Sequence, residues 1–137
     1  MLPNELDHML VLAKKAQTTA YSPYSSFQVG VCLQSQSGQL YSGCNIENAS
    51  YSLTLCAESA AIAAMITAGE MQITRLVIVS SGADFCSPCG ACRQRLLEFS
   101  APTLEIYLFN QAGELRQHTL DELLPFSFGK KDLAMGD

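Results

Sequence analysis

Three cysteines and one glutamate in this chain have the types and spacing needed to hold a zinc ion and to act on water. Cys56 and Glu58 lie in the stretch Cys-Ala-Glu, and Cys89 and Cys92 lie in Pro-Cys-Gly-Ala-Cys. A catalytic zinc ion takes three protein ligands and leaves its fourth position to water. We expect Cys56, Cys89 and Cys92 to be those ligands, with zinc lowering the pKa of the water. Glu58 lies two positions past a ligand, off that ligand's helical face, and is therefore the candidate base.

The net negative charge of such a site must be balanced by neighbouring positive groups. Three thiolates and one Zn²⁺ sum to minus one, which weakens the metal ion as a Lewis acid unless the surroundings withdraw charge. Both cysteine clusters open predicted helices, whose N-terminal N–H groups stabilise thiolates. Arg93 follows Cys92 directly, and we expect it to contribute to the same effect.

The spacing leaves other interpretations open. Cys86 lies three residues before Cys89, so these thiols together with Cys56 also fit a closed four-thiolate zinc site or an iron–sulfur cluster. Pro88 separates Cys86 from the following helix, and Glu58 would have no task in a closed site, so both features favour the open site. A disulfide framework is less favoured, because a chain of 137 residues can bury a core without such cross-links.

The composition narrows the class of protein and the partners. The chain is 48% hydrophobic, with 8 basic and 13 acidic residues and a net charge of −5. This balance disfavours a nucleic-acid partner, which usually shows as a basic patch, and favours a small neutral substrate. Met1–Glu5 has no positively charged region before an apolar run, and the apolar stretch 60–66 is too short to cross a bilayer. We therefore expect a cytoplasmic protein with no membrane partner, in which the cysteines stay reduced.

Hydrophobic periodicity predicts the order of the elements. We expect a helix over 4–20, a hairpin of strands 27–33 and 39–44, a helix over 57–67, a strand over 76–79, a helix over 89–99, strands over 104–109 and around 115, and a short helix over 119–125. This order predicts an α/β fold, a three-layer α/β/α domain with a five-stranded mixed sheet. No repeat or linker divides the chain, so we expect one domain over 1–137.

Two polar residues follow the hairpin at a spacing that suits binding. In extended chain Asn45 and Glu47 lie on the same side, and a paired amide and carboxylate can hold a hydroxyl group. An ordinary polar loop fits the same residues. Within the hairpin strands, Cys32 and Cys44 are expected to be small core side chains.

Together these stretches resemble the cytidine deaminase family, in its small homotetrameric form with three cysteine ligands. The resemblance covers nearly the whole chain and is carried by Pro23–Gly30, Gly43–Asn48, Cys56–Glu58, Pro88–Gln94 and Leu123–Pro125 with Phe128. Five such motifs in the right order are not expected by chance. The known chemistry of zinc deaminases includes a three-cysteine variant and a glutamate that is not a ligand.

The resemblance implies hydrolytic deamination of cytidine and deoxycytidine to uridine and deoxyuridine, with one zinc ion per subunit. Glu58 would take a proton from the water, deliver it to ring N3 and later assist departure of the amine. By the family's pattern Phe27 packs on the substrate, Asn45 and Glu47 hold the ribose 3′-hydroxyl, the backbone of Ala57 reaches the ring carbonyl, and the carbonyl of Ser87 faces the leaving amine. Glu47 would also repel a phosphate and so favour nucleosides.

The resemblance also implies an assembly, and it has one departure. An aromatic side chain at the position of Phe128 would enter a neighbouring subunit's site, so we expect a homotetramer with shared active sites, although Phe128 could instead pack on its own subunit. Many relatives carry Arg directly after Cys-Ala-Glu, where this chain has Ser59. Competing functions are deamination of another aminopyrimidine nucleoside such as blasticidin S, a polynucleotide-editing domain, and a zinc-stabilised scaffold without catalysis.

Overall fold

The computed structural model describes residues 4–133. Met1–Pro3, on which the expectation of no secretory signal partly depends, lie outside this range. The elements are α1 (Asn4–Thr18), β1 (Val29–Ser35), β2 (Leu40–Cys44), a 3₁₀ turn (Tyr51–Leu53), α2 (Ala57–Thr67), β3 (Ile73–Ser80), α3 (Gly90–Glu98), β4 (Ser100–Phe109), β5 (Leu115–Thr119), α4 (Leu120–Leu123) and a second 3₁₀ turn (Lys130–Leu133). This is the predicted order of helices and strands.

The strands form one mixed sheet in the order β2-β1-β3-β4-β5. The β1 strand pairs antiparallel with both β2 and β3, β3 pairs parallel with β4, and β4 pairs antiparallel with β5. The parallel pair is joined through α3, the strand–helix–strand unit that the sequence predicts. The predicted five-stranded mixed sheet is therefore confirmed.

Helices cover both faces of the sheet. On one face α1 buries Leu6, Met9 and Ala13 against strand residues that include Cys32 and Val77. On the other face residues of α2, α3 and α4 form a larger core with the opposite side chains of β1, β3 and β4. Strand side chains alternate between the faces, so the three-layer α/β/α prediction is confirmed.

Element boundaries differ from the predicted ones where tertiary contacts act. The α1 helix ends at Thr18, two residues before the predicted end, and the hydroxyls of Thr18 and Thr19 donate to carbonyls of its last turn. The β4 strand begins at Ser100 although Pro102 follows. The proline is tolerated because the β3–β4 register shifts there, with Ser100 and Glu105 paired to β3 on either side of it.

The contact between α2 and β2 is close enough to require glycine. A Cβ atom on Gly43 would lie 2.6 Å from the backbone nitrogen of Ala61 and 2.7 Å from the carbonyl oxygen of Ala57. The first turn of α2 is thereby set directly on the edge strand. This contact fixes the position of Glu58, which lies in the same turn.

The outer face of α2 is more exposed than its sequence predicts. The helix is apolar nearly all round, which is typical of a helix buried on every side, but in this chain only Ala57, Glu58, Ala61, Ile62 and Met65 are buried. Ile66 is 39% exposed. Within residues 4–133 no helix is long and apolar enough to cross a membrane.

Candidate active site

The first turns of α2 and α3 bring two of the predicted zinc ligands and the predicted base together. Cys56 is the N-cap of α2 and Cys92 lies in the first turn of α3. The two sulfur atoms and a carboxylate oxygen of Glu58 all lie within 4.8 Å of one another. These are thiolate and carboxylate donors of the kind that zinc accepts, and the helix N-termini favour their negative charge.

The separation of Cys56 and Cys92 suits two ligands of one metal ion better than a disulfide. Their sulfur atoms are placed in direct contact as a bonded pair, but their Cα atoms lie 7.4 Å apart. Native disulfides join Cα atoms about 4.4–6.8 Å apart, and more than about 7 Å requires backbone movement. The Cα separation therefore favours two ligands of one metal ion over a native disulfide.

Cys89, the third predicted ligand, lies close by but outside this cluster. It is the N-cap of α3, its thiol is free and exposed, and it lines the same cavity as Cys56 and Glu58. Cys86, the alternative fourth sulfur, is half-buried in the wall of that cavity and also lies outside the cluster. Burial, followed by the charges of Glu58 and Cys89, raises the pKa of the Cys86 thiol. The assignment of Cys89 as a ligand stays a prediction.

The carboxylate of Glu58 is buried in the floor of the site. The residue is only 5% exposed. Burial raises the pKa of Glu58, while its own backbone N–H and the positive charge of Arg95 oppose that rise. A carboxylate with a raised pKa is a better proton acceptor and donor near neutral pH than one in water.

Arg95, not the expected Arg93, is the cation beside the sulfur atoms. The Nη1 atom of Arg95 lies 3.8 Å from the sulfur of Cys56 and 3.8 Å from that of Cys92. Arg93 instead donates from Nε to the carbonyl of Pro88 at 2.7 Å and from Nη1 to the carbonyl of Leu123 at 2.6 Å. The structure therefore gives Arg93 backbone partners, and its expected contribution to the charge of the site stays a prediction.

Helix geometry explains this difference. Adjacent residues point about 100° apart around an α-helix, whereas residues three apart share a face. Arg95 lies three positions after Cys92 and so projects from the same side of α3. Sequence reasoning missed Arg95, although this spacing could have identified it. Ser59, the residue directly after Cys-Ala-Glu, places its hydroxyl 3.0 Å from the sulfur of Cys56.

A cavity of about 400 Å³ opens over the cluster. Small-molecule sites typically occupy roughly 300–1,000 Å³. Of the predicted substrate-binding residues, Asn45, Ala57 and Ser87 line this cavity together with Cys56 and Glu58. The structure therefore brings half of the predicted substrate set to the metal cluster.

Asn45 and Glu47 lie in adjoining cavities and are both fixed by backbone contacts. The Oδ1 atom of Asn45 accepts from the N–H of Val29 at 2.9 Å, and its Nδ2 donates to the carbonyl of Phe27 at 2.8 Å. Glu47 faces a neighbouring cavity of about 340 Å³, and Thr54 lines both cavities. Its Oε1 accepts from the N–H groups of Tyr24 and Ser25. Within residues 4–133 the second N–H of the Asn45 amide has no hydrogen-bond partner, so it can donate to a ligand.

Contacts with Ser25 keep Glu47 ionised. The hydroxyl of Ser25 donates to Oε2 of Glu47. This hydrogen bond is the main cause of the lowered pKa of Glu47; burial opposes it, and the backbone N–H groups of Tyr24 and Ser25 lower the pKa further. At neutral pH the adjoining cavity thus presents a negative charge.

The two predicted aromatic contacts lie outside the cavity in the single chain. Phe27 is 38% exposed and Phe128 is 60% exposed, and neither lines the cavity over the cluster. The carbonyl of Phe128 accepts a hydrogen bond of 2.8 Å from Nε2 of Gln94. The tail is thereby attached to α3 through its backbone, while the aromatic side chain remains open to solvent.

Two cysteine sulfurs and a buried carboxylate at helix N-termini, below a cavity of ligand size, are the donors and the pocket that a zinc-dependent α/β enzyme requires. Residues 3–108 match the family model described as the cytidine and deoxycytidylate deaminase zinc-binding region. The chain is 40% identical over 130 residues to a cytidine deaminase of Sporosarcina psychrophila, covering 95% of this chain and 96% of the relative. It is also 40% identical over 121 residues to a cytidine deaminase of Halalkalibacterium halodurans, covering 88% and 92%.

The fold agrees with these relatives. A crystal structure of cytidine deaminase from Burkholderia pseudomallei superposes with a TM-score of 0.86 at 38% identity, covering 93% of this chain and 100% of that one. The chain therefore belongs to the cytidine and deoxycytidylate deaminase family. The donor set of Cys56, Glu58 and Cys92 fits zinc as its cofactor.

Proposed function

We propose that this protein deaminates cytidine and deoxycytidine to uridine and deoxyuridine with release of ammonia, in the salvage of pyrimidines. The observation that carries the proposal is the buried carboxylate of Glu58, within 4.8 Å of two cysteine sulfurs and in the wall of a cavity of about 400 Å³. Cytidine deaminase is the name of relatives that are 40% identical over most of the chain.

Zinc, when bound, supplies the Lewis acidity that makes water a nucleophile near neutral pH. Glu58 accepts the proton of the attacking water and delivers it to N3 of the pyrimidine. The oxygen forms a bond to C4, the bond from C4 to the exocyclic nitrogen breaks, and Glu58 helps transfer the proton with which that nitrogen leaves as ammonia. Burial raises the pKa of Glu58, which suits a group that must both take and give protons.

Recognition of the nucleoside follows from the remaining walls of the two cavities. The backbone of Ala57 binds the ring carbonyl, and the carbonyl of Ser87 faces the leaving amine; both residues line the cavity over the cluster. The free N–H of Asn45 and the ionised carboxylate of Glu47 hold the ribose 3′-hydroxyl. Phe27 packs on the substrate. The charge of Glu47 disfavours a phosphate, so nucleosides are preferred to nucleotides.

Cys89 is the third zinc ligand in this proposal. Its thiol is free and lines the cavity of Cys56 and Glu58. Cys86 lines the same cavity and is the matched control. We expect Cys89→Ser to lower bound zinc well below one ion per chain and Cys86→Ser to keep it, as measured by metal analysis of the purified proteins. Equal zinc retention in both variants would contradict the assignment.

The active enzyme is a homotetramer in which Phe128 of one subunit enters the site of a neighbour. Several apolar residues of the segment 46–55 are exposed in the single chain, as a subunit interface requires: Tyr51 75%, Leu53 64%, Leu55 48% and Ile46 42%. Phe128 itself is 60% exposed. The chain folds as one domain and acts in the cytoplasm.

The test is to purify the protein, measure zinc per chain and follow the ultraviolet absorbance of cytidine during conversion to uridine. We expect about one zinc ion per chain and turnover of cytidine and deoxycytidine well above that of blasticidin S. Faster turnover of blasticidin S would assign the protein to the alternative substrate. Zinc binding without turnover of any of the three substrates would support a scaffold role and overturn the proposal.

A further inference from the structure

The metal cluster carries more negative charge than zinc alone can offset. Three cysteine thiolates and Zn²⁺ sum to minus one, and the ionised form of Glu58 adds a further negative charge in a buried position. Excess negative charge on the ligands weakens the electrophilic character of the ion and favours protonation and loss of a thiolate. A cation placed against the sulfur atoms counteracts both effects.

Arg95 is placed to supply that cation. One guanidinium nitrogen, Nη1, lies 3.8 Å from the sulfur of Cys56 and 3.8 Å from the sulfur of Cys92, so it bridges α2 and α3 at the ligands. The side chain also lines the cavity that contains Glu58. At 3.8 Å these are long hydrogen bonds to sulfur, and once the two sulfur atoms bind zinc as thiolates, the same contacts bring opposite charges together.

The neighbouring groups do not replace it. The guanidinium of Arg93 donates to two backbone carbonyls, and Ser59 brings a hydroxyl without charge to the sulfur of Cys56. Among residues 4–133, Arg95 has no carboxylate partner within salt-bridge distance. Its charge acts on the carboxyl group of Glu58, whose pKa burial raises and Arg95 lowers, but it is not held in an ion pair away from the sulfur atoms.

We propose that Arg95 is a positioning residue of the metal centre, whose guanidinium lies against the sulfur atoms of Cys56 and Cys92 and offsets the negative charge that these ligands place on zinc. The inference depends on the zinc site of the proposed function. It assigns to a residue of α3 the positive charge that Ser59, directly after Cys-Ala-Glu, does not supply. Because Arg95 is exposed in the single chain, salt should weaken its effect.

The test compares Arg95→Gln, Arg95→Lys and, as a control for net charge, Lys130→Gln. Lys130 is an exposed cation whose partner is Glu98, at 3.7 Å. Zinc affinity is measured by competition with a chromophoric chelator. Removal of an outer-shell partner typically costs about 10–100-fold in metal affinity, and we expect Arg95→Gln to fall in this range, Arg95→Lys to lose clearly less and Lys130→Gln to match the parent protein.

Two readouts separate a role at the metal from a structural one. In cobalt-substituted protein, the thiolate-to-cobalt charge-transfer bands should shift in Arg95→Gln and remain near the parent position in Arg95→Lys. The melting temperature of the zinc-free protein should be the same for the parent and both Arg95 variants. The difference in zinc affinity between parent and Arg95→Gln should also narrow at high salt.

Either of two results would overturn the inference: zinc affinity of Arg95→Gln within twofold of the parent, or equal losses in Arg95→Gln and Arg95→Lys. These results differ from failure of the proposed function. If the parent protein binds no zinc under reducing conditions, the proposed function fails. If the parent binds zinc and turns over cytidine while Arg95→Gln binds zinc equally well, only the role of Arg95 is refuted.

Discussion

Replacing Glu58 by glutamine removes the proton carrier while keeping the shape of the site. Glu58 is 5% exposed, and it is the only carboxylate in the metal cluster that the described residues form. Glutamine has nearly the same size and no charge to bury. Because burial already disfavours the ionised form of Glu58, as its raised pKa shows, we expect the zinc-free variant to melt no lower than the parent.

The loss of rate can be bounded from the number of tasks that Glu58 performs. Positioned acid–base catalysis is worth about 10²–10⁴-fold, and each factor of ten corresponds to about 1.4 kcal/mol of activation free energy. The same carboxylate handles successive proton transfers, and no second carboxylate of the cluster can replace it. We therefore expect a loss near the upper limit, roughly 10⁴-fold or about 5 kcal/mol.

The assay follows cytidine absorbance at saturating substrate for the parent, Glu58→Gln and Glu98→Gln, with zinc per chain measured on the same samples. Glu98 is an exposed carboxylate at the far end of α3 that pairs with Lys130 at 3.7 Å, so it controls for the loss of one negative charge outside the site. We expect Glu98→Gln to match the parent. A Glu58→Gln protein that holds zinc and keeps more than a tenth of the parent rate would refute the mechanism.

Two further predictions test how the surroundings set the site. Ser25→Ala removes the largest contribution to the low pKa of Glu47, so the pKa of Glu47 should rise. Glu47 binds the substrate only when ionised. As the pH is lowered, KM for cytidine should therefore begin to increase at a higher pH in the variant than in the parent. Superimposed profiles of KM against pH would contradict this. Gly43→Ala places a Cβ atom 2.6 Å from a backbone nitrogen of α2, and such overpacking typically costs about 1–3 kcal/mol. We expect a lower free energy of unfolding in urea and a lower kcat, because α2 carries Glu58; an unchanged kcat would show that the displaced helix does not move the base.

Several features were predictable from the sequence because their causes are local. The bounds of α2, Ala57–Thr67, coincide with the predicted range. The capping box of Thr119 and Glu122 begins the last helix as its spacing predicts. Alternation and helical periodicity fix which side chains share a face, and these rules require only neighbours along the chain. The candidate zinc ligands and the carboxylate of Glu58 could likewise be identified from their spacing along the chain.

Only the tertiary structure decided which groups meet across elements. The contact of Arg95 with sulfur atoms on two helices depends on how α2 and α3 pack, and a sequence motif ending at Cys92 does not encode that distance. The same holds for Glu47, which faces an adjoining cavity because backbone N–H groups of a distant loop bind its carboxylate. The sequence thus determined the donors and the order of the elements. The packing of helices on the sheet determined which charges stand beside those donors, because distances between elements depend on the whole core.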